Sequence, residues 1–358
     1  MSVKKFYNQL ECFRGYAALC VAAVHFNVNS IFHHSPFATG LFVSFFFTLS
    51  GFVISLNYFD KVNNKKDLVY FVKKRFLRLY PLHFFFLFIF ILIEILKLFL
   101  EVNFNLIPNN RAFTINDGFS LINQVFLTQS LMSYHSFNTP AWSISVEIFC
   151  YIFFCLIIFK FKKKSIKIFL FCVVIFIFFL QDHFGFDKGY KSITSGFFCF
   201  LVGLIFSNLY RFIINKKYVI KKKLIYFLFY FNFFLILVLL NIKDDFLIYP
   251  FLFSFLILLS CFIEKNSLTF KFFFNRFSTY LGKISYSIYL SHLFIFWSLT
   301  QFMRFVLNWE LFIDENAKTK LLLSSYEANV MTIIAYTLTI IFSHFLYYKV
   351  ERFAYKKI

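Results

Sequence analysis

The sequence predicts an all-α, polytopic membrane protein with about ten transmembrane helices and with both termini in the cytoplasm. Three observations predict this fold. The 358 residues are 60% hydrophobic and have a mean hydropathy of +0.72, well above the values typical of a soluble domain. The apolar residues form runs close to the ~20 residues that a helix needs to cross the hydrocarbon of a bilayer. The basic residues fall mainly in the short connections between those runs.

Each apolar run is expected to form one membrane-spanning helix. No Gly/Ser-rich linker separates the runs, so we expect a single transmembrane domain over residues 1–358. In chain order, the ten expected spans cover residues 10–29, 37–59, 79–100, 140–159, 165–181, 192–210, 224–241, 246–263, 281–307 and 328–348.

The connections alternate between strongly basic and weakly basic, and this alternation sets the expected orientation. Of the 37 lysines and arginines, 28 lie in the N-terminus, the C-terminus and the connections 60–78, 160–167, 211–223 and 264–283. The other side holds seven, of which six lie in the intervening connections and one, Arg304, lies near the end of the span 281–307. Because an excess of Lys and Arg marks the cytoplasmic side, both termini are expected there. The expected location is a bacterial cytoplasmic (inner) membrane.

The placement of the charges and the spacing of the cysteines and histidines argue against a nucleic-acid-binding protein and against a metal site. A formal net charge of +20 can indicate nucleic-acid binding, but these charges lie where membrane topology uses them. The lipid bilayer is therefore an expected partner and nucleic acid is not. The seven cysteines lie within or beside apolar runs, and none has metal-ligand spacing. His33 and His34 lack further ligands at a suitable spacing, so no metal is expected.

The first expected span carries Arg14 and His25 inside an apolar run. On one continuous helix, the eleven residue steps from Arg14 to His25 advance about 1100°, or three turns plus roughly 20°. The two side chains would then share a face, about 16 Å apart along the axis. A cation and an imidazole are costly in lipid and normally face a protein interior. The spacing therefore indicates a functional face on this span.

Five stretches carry motifs in a definite order along the chain. They are LECFRGYAALCVAAVHF at 10–26, FFFTLSGFVIS at 45–55, RFLRLYP at 75–81, TPAWSISVEIFCY at 139–151 and ISYSIYLSHLFIF at 284–296, and VERF follows at 350–353. Taken in order, these stretches resemble the motifs of the membrane acyltransferase-3 family, and the resemblance covers essentially the whole chain. Ser44 and Ile148 stand where many members have acidic residues.

The resemblance implies an O-acyltransferase that uses acyl-CoA, most often acetyl-CoA, as the donor. Members of the family acylate hydroxyls of cell-surface glycans or of other small acceptors. For this chain we expect a glycan or a lipid-linked saccharide as the acceptor.

His25 and Glu147 are the expected catalytic residues. O-acyl transfer needs a base for the attacking hydroxyl, and an imidazole titrates near the operating pH. Glu147 would orient the imidazole and stabilise its charged form. The alternatives are a histidine hydrogen-bonded within the bundle and a glutamate wetted at a helix end.

Arg14, Arg75 and Arg78 are the expected donor-binding residues. Guanidinium groups suit the phosphates of a coenzyme A, and the three arginines are expected near the cytoplasmic side, where the donor is found. A pantetheine arm, on the order of 15–20 Å long, would span the distance from Arg14 to His25. For Arg75 and Arg78, positive-inside anchoring is the alternative explanation.

Trp142, Ser145, Ser50 and His292 are expected to have substrate-binding or supporting roles. Trp142 suits an interfacial belt equally well. Close helix packing explains Ser50 and Ser145 as well as function does. For His292, a polar contact within the bundle is the leading interpretation.

Two other functions are compatible with the same pattern. A secondary transporter or flippase would also have many spans and buried polar residues, although matched Gly/Pro-interrupted spans in two halves are lacking. A relative that has lost its catalytic function is the third possibility, and the presence of Arg14, His25 and Glu147 argues against it.

Overall fold

The computed structural model describes most of the chain as helices. The described residues are 8–26, 28, 30–32, 40–105, 110–132, 136–182, 190–241, 246–313 and 319–355. By their contacts they form two compact units: a first unit within Met1–Phe59 and Phe198–His344, and a second unit within Asp60–Phe197 and Phe345–Ile358. The single domain expected over residues 1–358 stays a prediction.

Fifteen helices lie within the described ranges. In chain order they are α1 (Asn8–Ala23), α2 (Leu41–Tyr58), α3 (Lys65–Phe104), α4 (Gly118–Val125), α5 (Gln129–Met132), α6 (Trp142–Phe161), α7 (Ser165–Asp182), α8 (Tyr190–Asn215), α9 (Lys222–Asn241), α10 (Tyr249–Ser260), α11 (Leu268–Phe273), α12 (Arg276–Lys283), α13 (Ser285–Phe305), α14 (Ser325–Leu346) and α15 (Arg352–Tyr355).

Short irregular elements join some of these helices. Single 3-10 turns lie at Thr139–Ala141, Lys162–Lys164 and Phe246–Ile248, and a π-helical turn lies at Tyr347–Glu351. Strands β1 (Leu311–Ile313) and β2 (Thr319–Leu321) form an antiparallel pair in which Leu311 faces Leu321. Apart from this small pair, the described chain is helical, as expected.

Five helical segments of the described chain are long and apolar enough to cross a membrane. They are Leu41–Tyr58, Thr139–Phe161, Ile193–Asn215, Lys222–Asn241 and Ser325–Glu351. This confirms the membrane character of the chain. The total of about ten spans and the orientation of the termini stay predictions.

Two helix boundaries differ most from the sequence prediction. Helix α1 ends at Ala23, six residues before the end of the expected span 10–29. Helix α3 begins at Lys65, so the expected connection 60–78 is helical over most of its length. The reason is local: the Asn64 side chain accepts a hydrogen bond from the Asp67 N–H, and the Asp67 carboxylate accepts one from the Asn64 N–H. This capping box starts the helix before the apolar run.

In the first unit, α1 packs closely against α12 through two glycines. A Cβ added to Gly282 would lie 1.9 Å from the carbonyl oxygen of Glu11, and one added to Gly15 would lie 2.7 Å from the Leu281 Cβ. Only glycine allows this approach, because backbone atoms cannot move aside as a flexible side chain can. The contact fixes the position of α1, which carries Arg14 and precedes His25.

The core of the first unit is built largely from phenylalanine rings. Phe13 of α1 meets Phe45 of α2 at 5.7 Å and Phe274 at 5.4 Å between ring centroids. Phe45 in turn lies 5.1 Å from Phe253 of α10. All three contacts are edge-to-face, the arrangement that the ring quadrupole favours. The phenylalanines therefore join α1, α2 and α10 into one packed core.

In the second unit, α3 packs against α6 through another aromatic cluster. Phe71 of α3 lies 6.2 Å from Tyr151 and 6.0 Å from Phe154, both on α6. Phe154 stacks on Phe169 of α7 with ring centroids 6.1 Å apart. The buried residues of α3 also include Arg75 and His83, so one face of this helix carries polar groups into the unit.

Candidate active site

The structure divides the nine candidate residues between the two units. The first unit holds Arg14, His25, Ser50 and His292, and the second holds Arg75, Arg78, Trp142, Ser145 and Glu147. The joint action of the two sets stays a prediction. His33 and His34 lie outside the described residues.

His25 lies in the turn that follows α1. Its N–H donates to the Ala22 carbonyl at 3.0 Å, and the Val24 N–H donates to the Val21 carbonyl at 3.3 Å. The prediction of one continuous helix through Arg14 and His25 was therefore wrong, because the helix ends at Ala23. Whether the two side chains share a face stays a prediction. The next side chain, Phe26, packs on Phe296 of α13 at 4.9 Å.

The His25 ring lies beside the His292 ring of α13. The two ring centroids are 5.1 Å apart, with an angle of 37° between the planes. His292 is 0% exposed, whereas His25 is partly exposed. Sequence reasoning assigned His292 a bundle contact but did not identify its neighbour. The structure identifies that neighbour as the expected catalytic base.

The hydrogen bonds of His292 determine which of its ring nitrogens carries the proton. Its Nδ1 lies 3.2 Å from the Ile288 carbonyl oxygen, which can only accept, so Nδ1 carries the hydrogen in the neutral ring. Its Nε2 is then an acceptor, and it is buried with no hydrogen-bond partner among the described residues. A buried acceptor beside a second imidazole is suited to receive that ring's N–H and so to hold its tautomer.

Arg14 forms an ion pair one turn back along α1. Its Nη1 lies 3.0 Å from Glu11 Oε1, and the side chain is 14% exposed. Glu11 pairs with Nη1, and the other N–H groups of this partly exposed guanidinium can still bind an anionic ligand.

Ser50 is buried on α2 next to Gly51, where α2 meets α8. That position favours the packing interpretation of Ser50.

In the second unit, Glu147 has a partner that sequence reasoning missed. The Tyr151 hydroxyl donates a hydrogen bond to Glu147 Oε1. Both residues lie on α6 four positions apart, a spacing at which side chains of one helix meet, so the signal was present in the sequence. Tyr151 is buried and Glu147 is partly exposed. The tyrosine therefore restricts the orientation of the carboxylate.

Arg75 belongs to the same cluster. Its guanidinium lies 5.8 Å from the centroid of the Tyr151 ring and 5.7 Å from that of Phe71. Arg75 is buried, and Arg78 lies three residues further along α3 and is partly exposed. A guanidinium over aromatic faces is stabilised by cation–π attraction. Of the two arginines, Arg78 is the more accessible to a ligand.

Trp142 and Ser145 lie at the start of α6 and form part of a hydrogen-bonded joint. The Trp142 carbonyl accepts from Ser130 Oγ at 2.6 Å and from Ser145 Oγ at 2.9 Å. The Ser145 and Ser130 hydroxyls are also hydrogen-bonded to each other at 2.6 Å. These bonds favour a packing role for Ser145. The Trp142 ring is partly exposed, as both an interfacial and an acceptor-binding role require.

Comparison with known proteins places the chain among acyltransferases. A family model described as "Acyltransferase domain" matches residues 7–348. Acyltransferase MdmB from Streptomyces mycarofaciens is 30% identical over 154 residues, which cover 39% of this chain and 36% of that protein. The chain thus spans about a third of the length of this curated relative. No solved structure matches the chain.

Proposed function

Because the chain belongs to the acyltransferase domain family, we propose that it is an integral-membrane O-acyltransferase that transfers an acyl group from acyl-CoA to a sugar hydroxyl. The donor in this proposal is cytoplasmic acetyl-CoA, and the acceptor is a cell-surface glycan or a lipid-linked saccharide. The membrane is a bacterial cytoplasmic membrane. The observation that carries the chemical part of the proposal is the contact between the His25 and His292 rings, 5.1 Å apart.

His25 acts as the general base in this proposal. Its ring nitrogen takes the proton from the acceptor hydroxyl as the oxygen attacks the thioester carbonyl of acyl-CoA. The new C–O bond forms, the C–S bond breaks, and the coenzyme leaves as a thiolate. The thiolate then takes the proton from the imidazolium, so the products are the ester and free coenzyme A. The His292 ring lies beside His25, and its buried Nε2, which has no partner among the described residues, is available in this proposal to accept an N–H of the His25 ring.

The donor is held by guanidinium groups in this proposal. Arg14, Arg75 and Arg78 form the predicted donor-binding set, because their fork of donors suits the phosphates of coenzyme A. Arg14 and Arg78 are partly exposed, so in this proposal they contact the phosphates. Arg75 is buried with its guanidinium over aromatic rings, and it supports the site from within. Glu147, held by Tyr151, keeps in this proposal the role predicted from the sequence, which is to stabilise the charged base.

The proposal is tested by replacing the base. Purified full-length protein is mixed with radiolabelled acetyl-CoA and with the saccharide fraction of a strain that lacks the gene. The wild-type protein is expected to transfer label to the saccharide and to release free coenzyme A. His25→Ala is expected to reduce both by at least about a hundredfold, the lower end of the contribution of a positioned base.

His344→Ala is the matched control. His344 is in the same unit but bonds to the Tyr280 hydroxyl, with 2.7 Å between Nδ1 and the oxygen. This variant should keep its transfer activity. Full activity in His25→Ala would overturn the assignment of the base. A wild-type protein that moves saccharide across vesicles without consuming acetyl-CoA would support the transporter instead.

A further inference from the structure

The segment α4–α5 in the second unit has its polar residues inside and its apolar residues outside. Phe126 is 73% exposed and Met132 is 64% exposed. In contrast, Gln124 is 0% exposed and Gln129 is 1% exposed. A soluble helix has the opposite arrangement. In a membrane protein, this arrangement puts the apolar side chains against lipid and the polar ones in the interior.

Most of the buried polar groups in this segment have protein partners. Asn123 Nδ2 donates to the Phe119 carbonyl at 2.9 Å, and Asn123 Oδ1 accepts from Thr128 Oγ1 at 2.8 Å. The backbone carbonyl of Gln124 accepts from His83 Nε2 at 2.9 Å. Gln129 Nε2 donates to the Ala141 carbonyl at 2.9 Å. The backbone and the neighbouring side chains are therefore well satisfied.

Three buried side-chain atoms are the exception. Gln124 Oε1, Gln124 Nε2 and Gln129 Oε1 have no hydrogen-bond partner among the described residues. Buried polar atoms are nearly always paired, because an unpaired amide loses its bonds to water and gains nothing in return. An amide with both ends unpaired is thus more easily explained by a ligand than by packing.

The position of these atoms indicates which ligand would fit. Gln129 bonds to Ala141, directly before Trp142, and Ser130 bonds to the Trp142 carbonyl. The Gln129 amide is therefore attached to the beginning of α6, whose sequence carries the WSISVE motif, and Gln124 lies five residues earlier in the same segment. A hydroxyl both donates and accepts, so it can pair with an amide N–H and with an amide oxygen. Neighbouring hydroxyls of a sugar ring offer two such groups together.

From this arrangement we propose that Gln124 and Gln129 form a subsite that binds hydroxyls of the saccharide acceptor. This inference rests on the proposed function and names acceptor-binding residues for it. Gln124 Nε2 donates to one sugar oxygen, while Gln124 Oε1 and Gln129 Oε1 accept from sugar hydroxyls. The apolar side chains of α4 and α5 keep this polar site covered from lipid.

The test is the acceptor KM of Gln124→Leu in the full-length protein. The probe is the saccharide fraction extracted from the gene-deletion strain, titrated at saturating radiolabelled acetyl-CoA. Leucine is close to glutamine in size and removes both unpaired atoms. We expect the acceptor KM to rise at least tenfold, the KM for acetyl-CoA to stay unchanged and the midpoint of thermal unfolding to stay or rise.

Asn123→Leu is the matched control on the same helix. Its amide is already paired within the protein, so its loss should lower the midpoint of thermal unfolding and leave the acceptor KM unchanged. If Gln124→Leu does not insert into the membrane, Gln124→Met replaces it, because methionine has the same length and is flexible.

The outcomes separate the two proposals. An unchanged acceptor KM in Gln124→Leu, with an active wild-type protein, overturns the subsite and leaves the acyltransferase proposal standing. A lowered unfolding midpoint with an unchanged KM indicates that the amide binds structural water only, and it also overturns the subsite. If the wild-type protein transfers no label to the extract, the proposed function fails, and the subsite fails with it.

Discussion

His25 owes its chemical environment to His292, a residue of a different helix. In the sequence, a single histidine near the end of an apolar run does not indicate which residue lies beside it. Its contact with a buried imidazole whose Nε2 is unpaired among the described residues gives it a defined neighbour at 5.1 Å. At this scale, the chemistry depends on which hydrogen-bonding atoms remain unused after folding.

Replacing His292 tests this relation at the level of one residue. His292→Phe keeps a ring of similar size and removes the Nε2 acceptor, so we expect kcat to fall roughly a hundredfold, within the range of proton-transfer effects. His292→Gln retains an acceptor and should keep more activity than the phenylalanine variant. The measurement is kcat for label transfer, with the KM for acetyl-CoA as the internal control.

A purely structural role for His292 leads to the opposite order. Phe296 and Tyr289 surround the His292 ring, at 5.8 Å and 6.1 Å between centroids. In such surroundings phenylalanine packs better than glutamine, because an unpaired buried amide is costly. If the phenylalanine variant proves the more active of the two, His292 only fills space.

At the scale of whole elements, glycines decide how closely helices approach. In the first unit α2 and α8 touch through Gly51 and Gly203. A Cβ at Gly203 would lie 1.9 Å from the Thr48 carbonyl oxygen, and one at Gly51 would lie 1.9 Å from the Phe200 carbonyl oxygen. Both obstacles are backbone atoms of a packed helix. Small residues at such crossings are typical of membrane helices.

Gly203→Ala should therefore destabilise the protein although it adds only one methyl group. We expect a loss of about 1–3 kcal/mol in the free energy of unfolding, the usual cost of overpacking. Thermal unfolding of the protein in detergent should show a lower midpoint. Gly118→Ala is the control, because a Cβ at Gly118 has nothing within 4 Å, and its midpoint should match the wild type. Equal midpoints for both variants would contradict the role of the close crossing.

At the scale of the whole molecule, charge is the main determinant of orientation. The 28 basic residues expected on one side face seven on the other. Because lysine and arginine resist transfer across the membrane, the basic side is expected in the cytoplasm. The expected orientation in the membrane depends only on where the basic residues lie along the chain, and not on packing or helix geometry.

Reporter fusions test the expected orientation. A fluorescent protein and alkaline phosphatase are each fused after Lys216 and after Arg111. We expect fluorescence but no phosphatase activity at Lys216, and the reverse at Arg111, because phosphatase is active only outside the cytoplasm. Using both reporters at each site controls for expression. The opposite pattern would show that the basic connections lie outside.

Much of the fold and part of the site follow from short stretches of sequence. Hydropathy predicts the membrane character and the helical class, since apolar runs must satisfy their backbone internally in lipid. The motifs identify the family and select Arg14, His25 and Glu147. The end of α1 and the start of α3 were harder to predict. A turn at Val24 and a capping box at Asn64 set these boundaries through a few hydrogen bonds, which hydropathy over a whole run does not reveal.

Sequence alone therefore establishes a helical membrane protein of the acyltransferase domain family, because composition and motifs are properties of local stretches. Folding adds what no local stretch contains. It brings His292 against His25, the Arg75 guanidinium over the Tyr151 ring, and the polar face of α4–α5 inward. These arrangements depend on how each helix is rotated about its axis and on how closely the glycines allow neighbouring helices to pack.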